Sequence, residues 1–371
     1  MTQTMQAVQM TGFGGPEVMA LHTIPVPQPG PHDILMRVAG CGIDRKDLLV
    51  RNGTIRKKSA GYRAAANDTR NDIDLPLTLG AEIAGTIVSL GKEVRGFAVG
   101  DRVASLPRRG HCGTCIYCHT GRSESCVSAW FIGQDAHGGY AEYVLVGPDG
   151  LCKVPDGVDL VEASMAAACI GTMVRAVRDA GQVRLGETVL ITGASGGLGV
   201  HGVQLAKLAG ARVIAVASSQ AKASRLRELG ADEVVIAARG EDFSARVLAL
   251  TEGRGVDVGI DIVGVATLPW VLRSMALYGR VLVVGEVGSG TIDLRPAIVL
   301  LRRLQILASY APGVTHMSTA LSLLQRGDIK AVIDSRMLLA EAVEAHRRME
   351  RSEDVFGRIV LVPDHASGNK P

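Results

Sequence analysis

The chain predicts an α/β protein of two domains, a mostly β first half followed by a doubly wound parallel sheet. Three observations carry that expectation. At 371 residues the chain is too long for one ordinary core. From Gly186 onward, strand-like runs alternate with glycine turns and helical patterns, the rhythm of parallel strands joined by crossovers. Before that point, short β-type runs are punctuated by Gly and Pro. The divisions expected are 1–170, 171–310 and a C-terminal segment 311–371.

In chain order, the first half offers strands at Ile34–Val38, Ile83–Leu90, Arg102–Ser105 and Tyr140–Val146. The second half offers six more, at Thr188–Thr192, Val213–Ala217, Glu233–Ile236, Val258–Ile262, Arg280–Val284 and Leu304–Ala308. Helical patterns at Leu198–Ala209, Ala221–Leu229 and Phe243–Thr251 lie between several of them, and six is the number a full dinucleotide-binding sheet needs. Two helices, Ser318–Gly327 and Glu341–Arg351, and a strand at Gly357–Val362 close the chain.

Cys112, Cys115, Cys118 and Cys126 fall within fifteen residues. Thiolates are the soft donors zinc prefers, and four of them close its tetrahedral shell with no position left for substrate. The segment from about 108 to 128 is therefore expected to be a structural zinc lobe. Cys41, Cys152 and Cys169 remain, a usage that fits a reducing cytoplasm better than a disulfide framework. A net charge of +3, dispersed along the chain, argues against nucleic acid as a partner. The first residues lack the basic start and apolar run of a signal peptide, and no apolar stretch is expected to reach membrane-spanning length. A small-molecule substrate is left as the expected partner.

Residues 54–75 form a polar excursion. Across 51–70 the chain carries Arg51, Arg56, Lys57, Lys58, Arg63 and Arg70 against one carboxylate, Asp68. A solvated surface loop is the plainer reading; a lid or anion-binding edge is the functional one.

The run Val189 to Gly199 leads from a strand through a glycine turn into a helix, the context that gives such a motif meaning. Gly193 and Gly196 permit the tight turn, Gly197 lets backbone approach a pyrophosphate, and Gly199 lets the helix pack closely. Ala194, Ser195 and Leu198 complete the expected contact surface. At the end of the second strand, an acidic residue would favour NAD by binding its ribose hydroxyl. Here Ser218, Ser219 and Lys222 stand instead, followed by Arg225, so NADPH is the cofactor expected.

These features resemble the zinc-type medium-chain dehydrogenase/reductase superfamily over nearly the whole chain. The resemblance rests on the cysteine lobe, Gly138-Gly139-Tyr140-Ala141-Glu142-Tyr143, the Ala-Ser-Gly-Gly-Leu-Gly turn and Asp261-Ile-Val-Gly264. Within it, Cys169-Ile-Gly-Thr-Met-Val-Arg-Ala is similar to acryloyl-CoA reductases and quinone-oxidoreductase-like enzymes. The resemblance implies a GroES-like catalytic domain, a Rossmann domain, a C-terminal segment returning to the first domain, and a homodimer or homotetramer.

It also implies where a catalytic zinc would be held, and this chain departs there. Asp44 stands at the usual cysteine and Ala81 at the usual histidine; only Cys169, with the neighbouring Glu82, matches. The reading that follows is an NADPH-dependent reductase of an activated C=C bond, an enoyl thioester, enone or similar, with structural zinc and no catalytic zinc. An iminium substrate fits the same chemistry. The alternatives are an alcohol or polyol dehydrogenase with an atypical zinc on Asp44, Glu82 and Cys169, and a catalytically inactive NADPH-binding protein.

Residue roles follow from the same resemblance. Arg45 matches a pyrophosphate contact or makes a surface salt bridge. Lys46 stands where alcohol dehydrogenases start their proton relay, though pointing to solvent is its default. Asp47 is expected to orient its neighbours, Tyr62 is a candidate proton donor, and His137 is expected to be structural. Thr172 matches the residue packed on nicotinamide, Gly285 and Val287 the strand end holding its carboxamide, and Val263 a further cofactor contact.

Overall fold

The computed structural model describes residues 3–57, 72–288, 290–352 and 354–364. Tyr62 and most of the basic excursion lie outside the described residues. The chain divides into two compact units: 1–171 with 311–325 and 333–371, and 172–310 with 326–332. The tail is therefore shared, since the short stretch 326–332 belongs with the second unit.

The first unit begins with β1 (Thr4–Met10), β2 (Met19–Pro25), β3 (Ile34–Gly42), β4 (Leu77–Thr78) and β5 (Glu82–Leu90). It continues through β6 (Arg102–Ser105), β7 (Arg108–Arg109), β8 (Trp130–Phe131), β9 (Tyr143–Val146) and β10 (Leu151–Lys153). The second unit supplies β11 (Thr188–Ile191), β12 (Arg212–Ala217), β13 (Glu233–Ile236), β14 (Val256–Asp261), β15 (Met275–Val283) and β16 (Gln305–Ala308). β17 (Ile333–Leu338) and β18 (Arg358–Val362) return to the first unit.

In the first unit the main sheet runs β10-β6-β5-β3-β18-β17, with β9 also on β3. β18 is buried at every residue because it lies between β3 and β17. Such a strand needs apolar side chains on both faces, which Ile359-Val-Leu-Val362 supplies; Arg358 is the exception. One apolar cluster spans this unit, from Val8 and Met36 through Ile83 and Tyr140 to Leu361. Tyr140 precedes β9 rather than lying in it, and β1, β2, β4 and β17 were not foreseen.

The second unit holds a six-stranded parallel sheet in the order β13-β12-β11-β14-β15-β16. Numbered within the sheet this is 3-2-1-4-5-6, the doubly wound order whose switch point lies between β11 and β14. All four residues of β11 are buried, as a central parallel strand requires.

The helical run Leu160–Ala180 corrects one expectation, because its 21 residues are long and apolar enough to cross a bilayer. It is a core element instead: 72% of its most apolar window is buried within the protein. π-turns at Ala167–Gly171 and Arg175–Ala180 interrupt its regularity.

Candidate active site

The reaction centre of the first unit grows from the end of β3. Asp44 N-caps the helix α1 (Arg45–Arg51): its carboxylate accepts from Lys46 N (3.3 Å), while Asp47 accepts from Asp44 N (2.8 Å). Such a capping box contributes about 1 kcal/mol and fixes both carboxylates. Asp44, a candidate catalytic residue, is thus committed to local structure.

Asp47 orients several groups, being buried and accepting also from Gly80 N (3.2 Å) and Tyr140 Oη (3.1 Å). Gly80 makes that contact at φ +98°, where an added Cβ would lie 2.5 Å from the Tyr140 ring. Tyr140 Oη meets His346 Nε2 (3.0 Å), His346 Nδ1 meets Arg51 Nη1 (3.2 Å), and Arg51 pairs with Glu350. A guanidinium only donates, so Nδ1 accepts and the imidazole proton sits on Nε2. The proton then points to Tyr140, whose hydroxyl donates to Asp47. Burial, reinforced by Arg51, lowers His346 to about 3 and keeps it neutral. Burial and Asp44 raise Asp47 to about 7. This polarised chain anchors α1 to a second helix, α2 (Ala342–Arg351), 295 residues along the chain from Arg51 to His346.

Lys46 does not point to solvent, which corrects its default reading. Its Nζ sits 2.8 Å from the Phe131 ring centre, a ring shared with Arg108 at 5.5 Å. Desolvation, then repulsion from Arg108, lowers the amine to about 7, with Asp44, Asp135 and Asp47 opposing. An amine lowered to that range is suited to exchanging a proton near neutral pH.

Glu82 is fully buried, and its Oε1 accepts from Arg358 Nη2 (2.6 Å). Arg358 Nη1 donates to Ile43 O (3.0 Å). Burial raises the Glu82 carboxyl, with the guanidinium opposing. Burial also works against the Arg358 cation, but Glu82, Cys169 and Asp44 hold it charged. Burial pushes the Cys169 thiol up to about 12, with Arg358 pulling the other way. Ala81, at the position of the usual histidine, is buried and offers no donor.

Among the described residues, one group brings four potential metal donors together, Cys112, Cys115, Cys118 and Cys126, with sulfurs within 4.8 Å of one another. Two of the S···S distances are 3.6 Å, against roughly 3.8 Å for the edge of a tetrahedron with zinc–sulfur bonds of about 2.3 Å. These residues fit a structural zinc. Asp44, Glu82 and Cys169 form no such group. One carboxylate caps a helix and another holds a guanidinium, so the residues present do not fit a catalytic zinc.

In the second unit the glycine turn leads into a 12-residue helix, Gly197–Leu208, with Gly196 at its N-cap. At Gly199 an added Cβ would lie 2.3 Å from Gly193 O, so only glycine lets helix and turn approach this closely. Gly193, Val263, Gly285 and Val287 converge at the carboxyl ends of β11, β14 and β15. Val287 N donates to Val263 O (3.0 Å), and Val263 Cγ2 lies 3.0 Å from a Cβ built on Gly193. Asp261 locks this rim by accepting from Thr192 Oγ1 (2.6 Å), Thr267 Oγ1 and Gly264 N (2.8 Å). The cradle fits a dinucleotide. Past β12, Ser218 is exposed, Ser219 caps the next helix by accepting from Lys222 N (3.4 Å), and Lys222 is buried. Ala194 and Thr172 are buried, while Ser195, Leu198 and Arg45 are half-buried. His137 accepts from Thr78 N (3.2 Å), a structural contact.

Sequence reasoning missed Arg358, His346, Phe131 and Arg108, and it counted Arg51, which is buried, in the basic surface stretch. The one available signal was a lone Arg at the start of an otherwise apolar strand.

A nucleotide cradle on a doubly wound sheet, with a buried acid–base cluster in a separate β domain, is the architecture of an NAD(P)H-dependent oxidoreductase. Residues 30–156 match the alcohol dehydrogenase GroES-like domain and residues 197–326 the zinc-binding dehydrogenase domain. The chain belongs to the medium-chain dehydrogenase/reductase superfamily. It is 32% identical to an acryloyl-coenzyme A reductase of Sulfurisphaera tokodaii, covering 92% of this chain and 96% of that protein. An NAD-dependent alcohol dehydrogenase of the same organism is also 32% identical, over 97% of this chain and 100% of the other. A solved structure described as AibC shares 42% identity at a TM-score of 0.87, covering 98% of this chain and 96% of the other.

Proposed function

We propose that the protein is an NADPH-dependent reductase of an activated carbon–carbon double bond, an enoyl thioester or enone, working with structural zinc only. Lys46 carries this reading. It is an amine lowered to about 7, held on an aromatic ring two residues from Asp44, at a metal position where two of the usual donors are altered. Alcohol oxidation depends on a Lewis acid to lower the alcohol's pKa, whereas reduction of a polarised alkene needs only a proton donor and dipoles. When bound, the nicotinamide supplies a hydride to the β-carbon. Lys46 then gives its proton to the substrate's developing enolate, and solvent reprotonates the amine, so the saturated product balances the two electrons and two hydrogens added. The acryloyl-coenzyme A reductase likeness supports the substrate class, and the alcohol dehydrogenase likeness marks the competing one.

Ser218 and Lys222, with no carboxylate at the end of β12, support NADPH over NADH. Cysteine usage, with four of seven gathered in a metal-type cluster, supports a cytoplasmic setting. A homodimer through β16 is the assembly favoured, because this sheet edge and its surroundings expose Leu300, Leu301, Ile306 and Tyr310. Steady-state rates with NADPH and an enone or crotonyl thioester, beside NADP⁺ and primary alcohols, test the reading. Alkene reduction is expected; alcohol oxidation without alkene reduction would replace it with the dehydrogenase, and neither reaction would favour a non-catalytic NADPH binder.

A further inference from the structure

The two-strand ribbon of β7 and β8 sets Arg108 directly opposite Phe131. Residues paired in that way stand on one face of the ribbon, and the guanidinium lies 5.5 Å from the centre of the Phe131 ring. Lys46, from the start of α1, brings its amine to 2.8 Å from the same centre. Two half-buried cations thus meet at one ring, and each repels the other. Among the described residues, neither side chain makes a hydrogen bond or an ion pair, and the buried Nε of Arg108 has no acceptor. Arg109, the next residue, is by contrast paired with Asp33 at 2.9 Å. Unsatisfied donors of this kind are costly to keep out of water.

The nearby carboxylates are engaged elsewhere. Asp44 accepts from Lys46 N, Asp47 from Asp44 N and Gly80 N, and Asp135 from Phe131 N (2.6 Å), while Glu82 holds Arg358. What the ring gathers is therefore a set of donors with no acceptor, which suits a group that only accepts and that carries or develops negative charge. We infer that Arg108, beside Lys46, is the donor that binds the substrate's carbonyl oxygen and holds it as it becomes an enolate. The inference rests on the reductase reading and narrows its substrates to conjugated carbonyl compounds. An iminium would bring these donors no acceptor and would face two like charges. Arg108 touches substrate and is in that sense catalytic: it donates hydrogen bonds to the oxygen, and no bond to it forms or breaks. A guanidinium keeps its charge throughout the working pH range and matches a carboxylate equally well, so an unsaturated carboxylate is a resting mimic of the enolate.

Calorimetric titration of the full-length, zinc-loaded chain with crotonate, beside neutral crotyl alcohol, tests the site without turnover. Wild type is expected to bind crotonate at least about tenfold more tightly than the alcohol. Arg108→Met keeps an unbranched stem on Phe131 and should lose about tenfold or more of that affinity, and Arg108→Lys, which restores a cation, should regain part of it. With an enone, Arg108→Met should lower kcat by about 10²–10³-fold while NADPH binds as in wild type. Crotonate held no better than crotyl alcohol overturns the inference, as does an Arg108→Met protein within threefold of wild type in crotonate affinity or in kcat. Crotonate binding that depends on Arg108, in a wild type that reduces no alkene, would sink the reductase reading and spare the anion site. Alkene reduction that Arg108→Met leaves intact would spare the reading and sink the inference.

Discussion

Replacing Lys46 separates a proton donor from a packed cation. With its amine lowered to about 7, half of the enzyme carries the proton at pH 7 and about a tenth at pH 8. If that proton completes reduction, kcat falls about tenfold per pH unit above 7 and levels off below it. Lys46→Met keeps the aliphatic stem on Phe131 and removes the acid, so kcat should drop by about 10²–10⁴-fold and its alkaline fall should vanish. Lys46→Arg keeps a cation over the ring but cannot release its proton, and should be equally slow.

Stability moves the other way. A lysine lowered on folding is a cost that is fully present below pH 7 and relieved as pH rises from about 7 toward 10.5, because the unfolded chain holds the proton more tightly. Lys46→Met is therefore expected to be at least as stable as wild type at pH 7, by roughly 1–3 kcal/mol after allowance for its partial exposure. The assay is initial NADPH consumption with an enone from pH 5.5 to 9, beside urea unfolding. A Lys46→Met enzyme within threefold of wild-type kcat, or one that keeps the alkaline fall, refutes the role.

Other perturbations follow from the same geometry. Tyr140→Phe leaves His346 Nε2–H and Asp47 Oδ2 facing each other across a lost hydroxyl, and should lower stability by about 1–3 kcal/mol in urea melts. Arg358→Met should cost more, about 3–5 kcal/mol, since it strands a buried Glu82; an unchanged unfolding midpoint would show that the pair contributes nothing. Gly199→Val drives a side chain into the turn at Gly193 O and should abolish NADPH binding in a fluorescence titration while the first unit keeps its zinc. Cys112→Ser should release the metal and make the 108–128 lobe protease-sensitive.

Much of this protein was legible before any coordinates. Thr188–Ile191 followed by glycines reads as strand and cradle because the turn imposes local steric demands, and those demands act within ten residues. The cysteine lobe is legible for the same reason, since two-residue spacers bring the sulfurs together without help from distant chain. Helix Leu160–Ala180 was not legible: apolar and small side chains run unbroken from Ala163 to Val174 and erase the periodicity that separates a buried helix from other buried segments.

Residue identity alone also shows that Ala81 offers a metal no donor while Asp44 offers a carboxylate. What surrounds Glu82 was beyond it. Arg358 lies 276 residues from Glu82, and His346 lies 295 from Arg51. Only β18 pairing against β3, and α2 packing near it, brings these groups into one low-dielectric cluster. Charge and proton position there depend on which neighbours are close and how little water remains. Sequence specifies the donors; burial and long-range pairing determine which are charged and which are spent on structure.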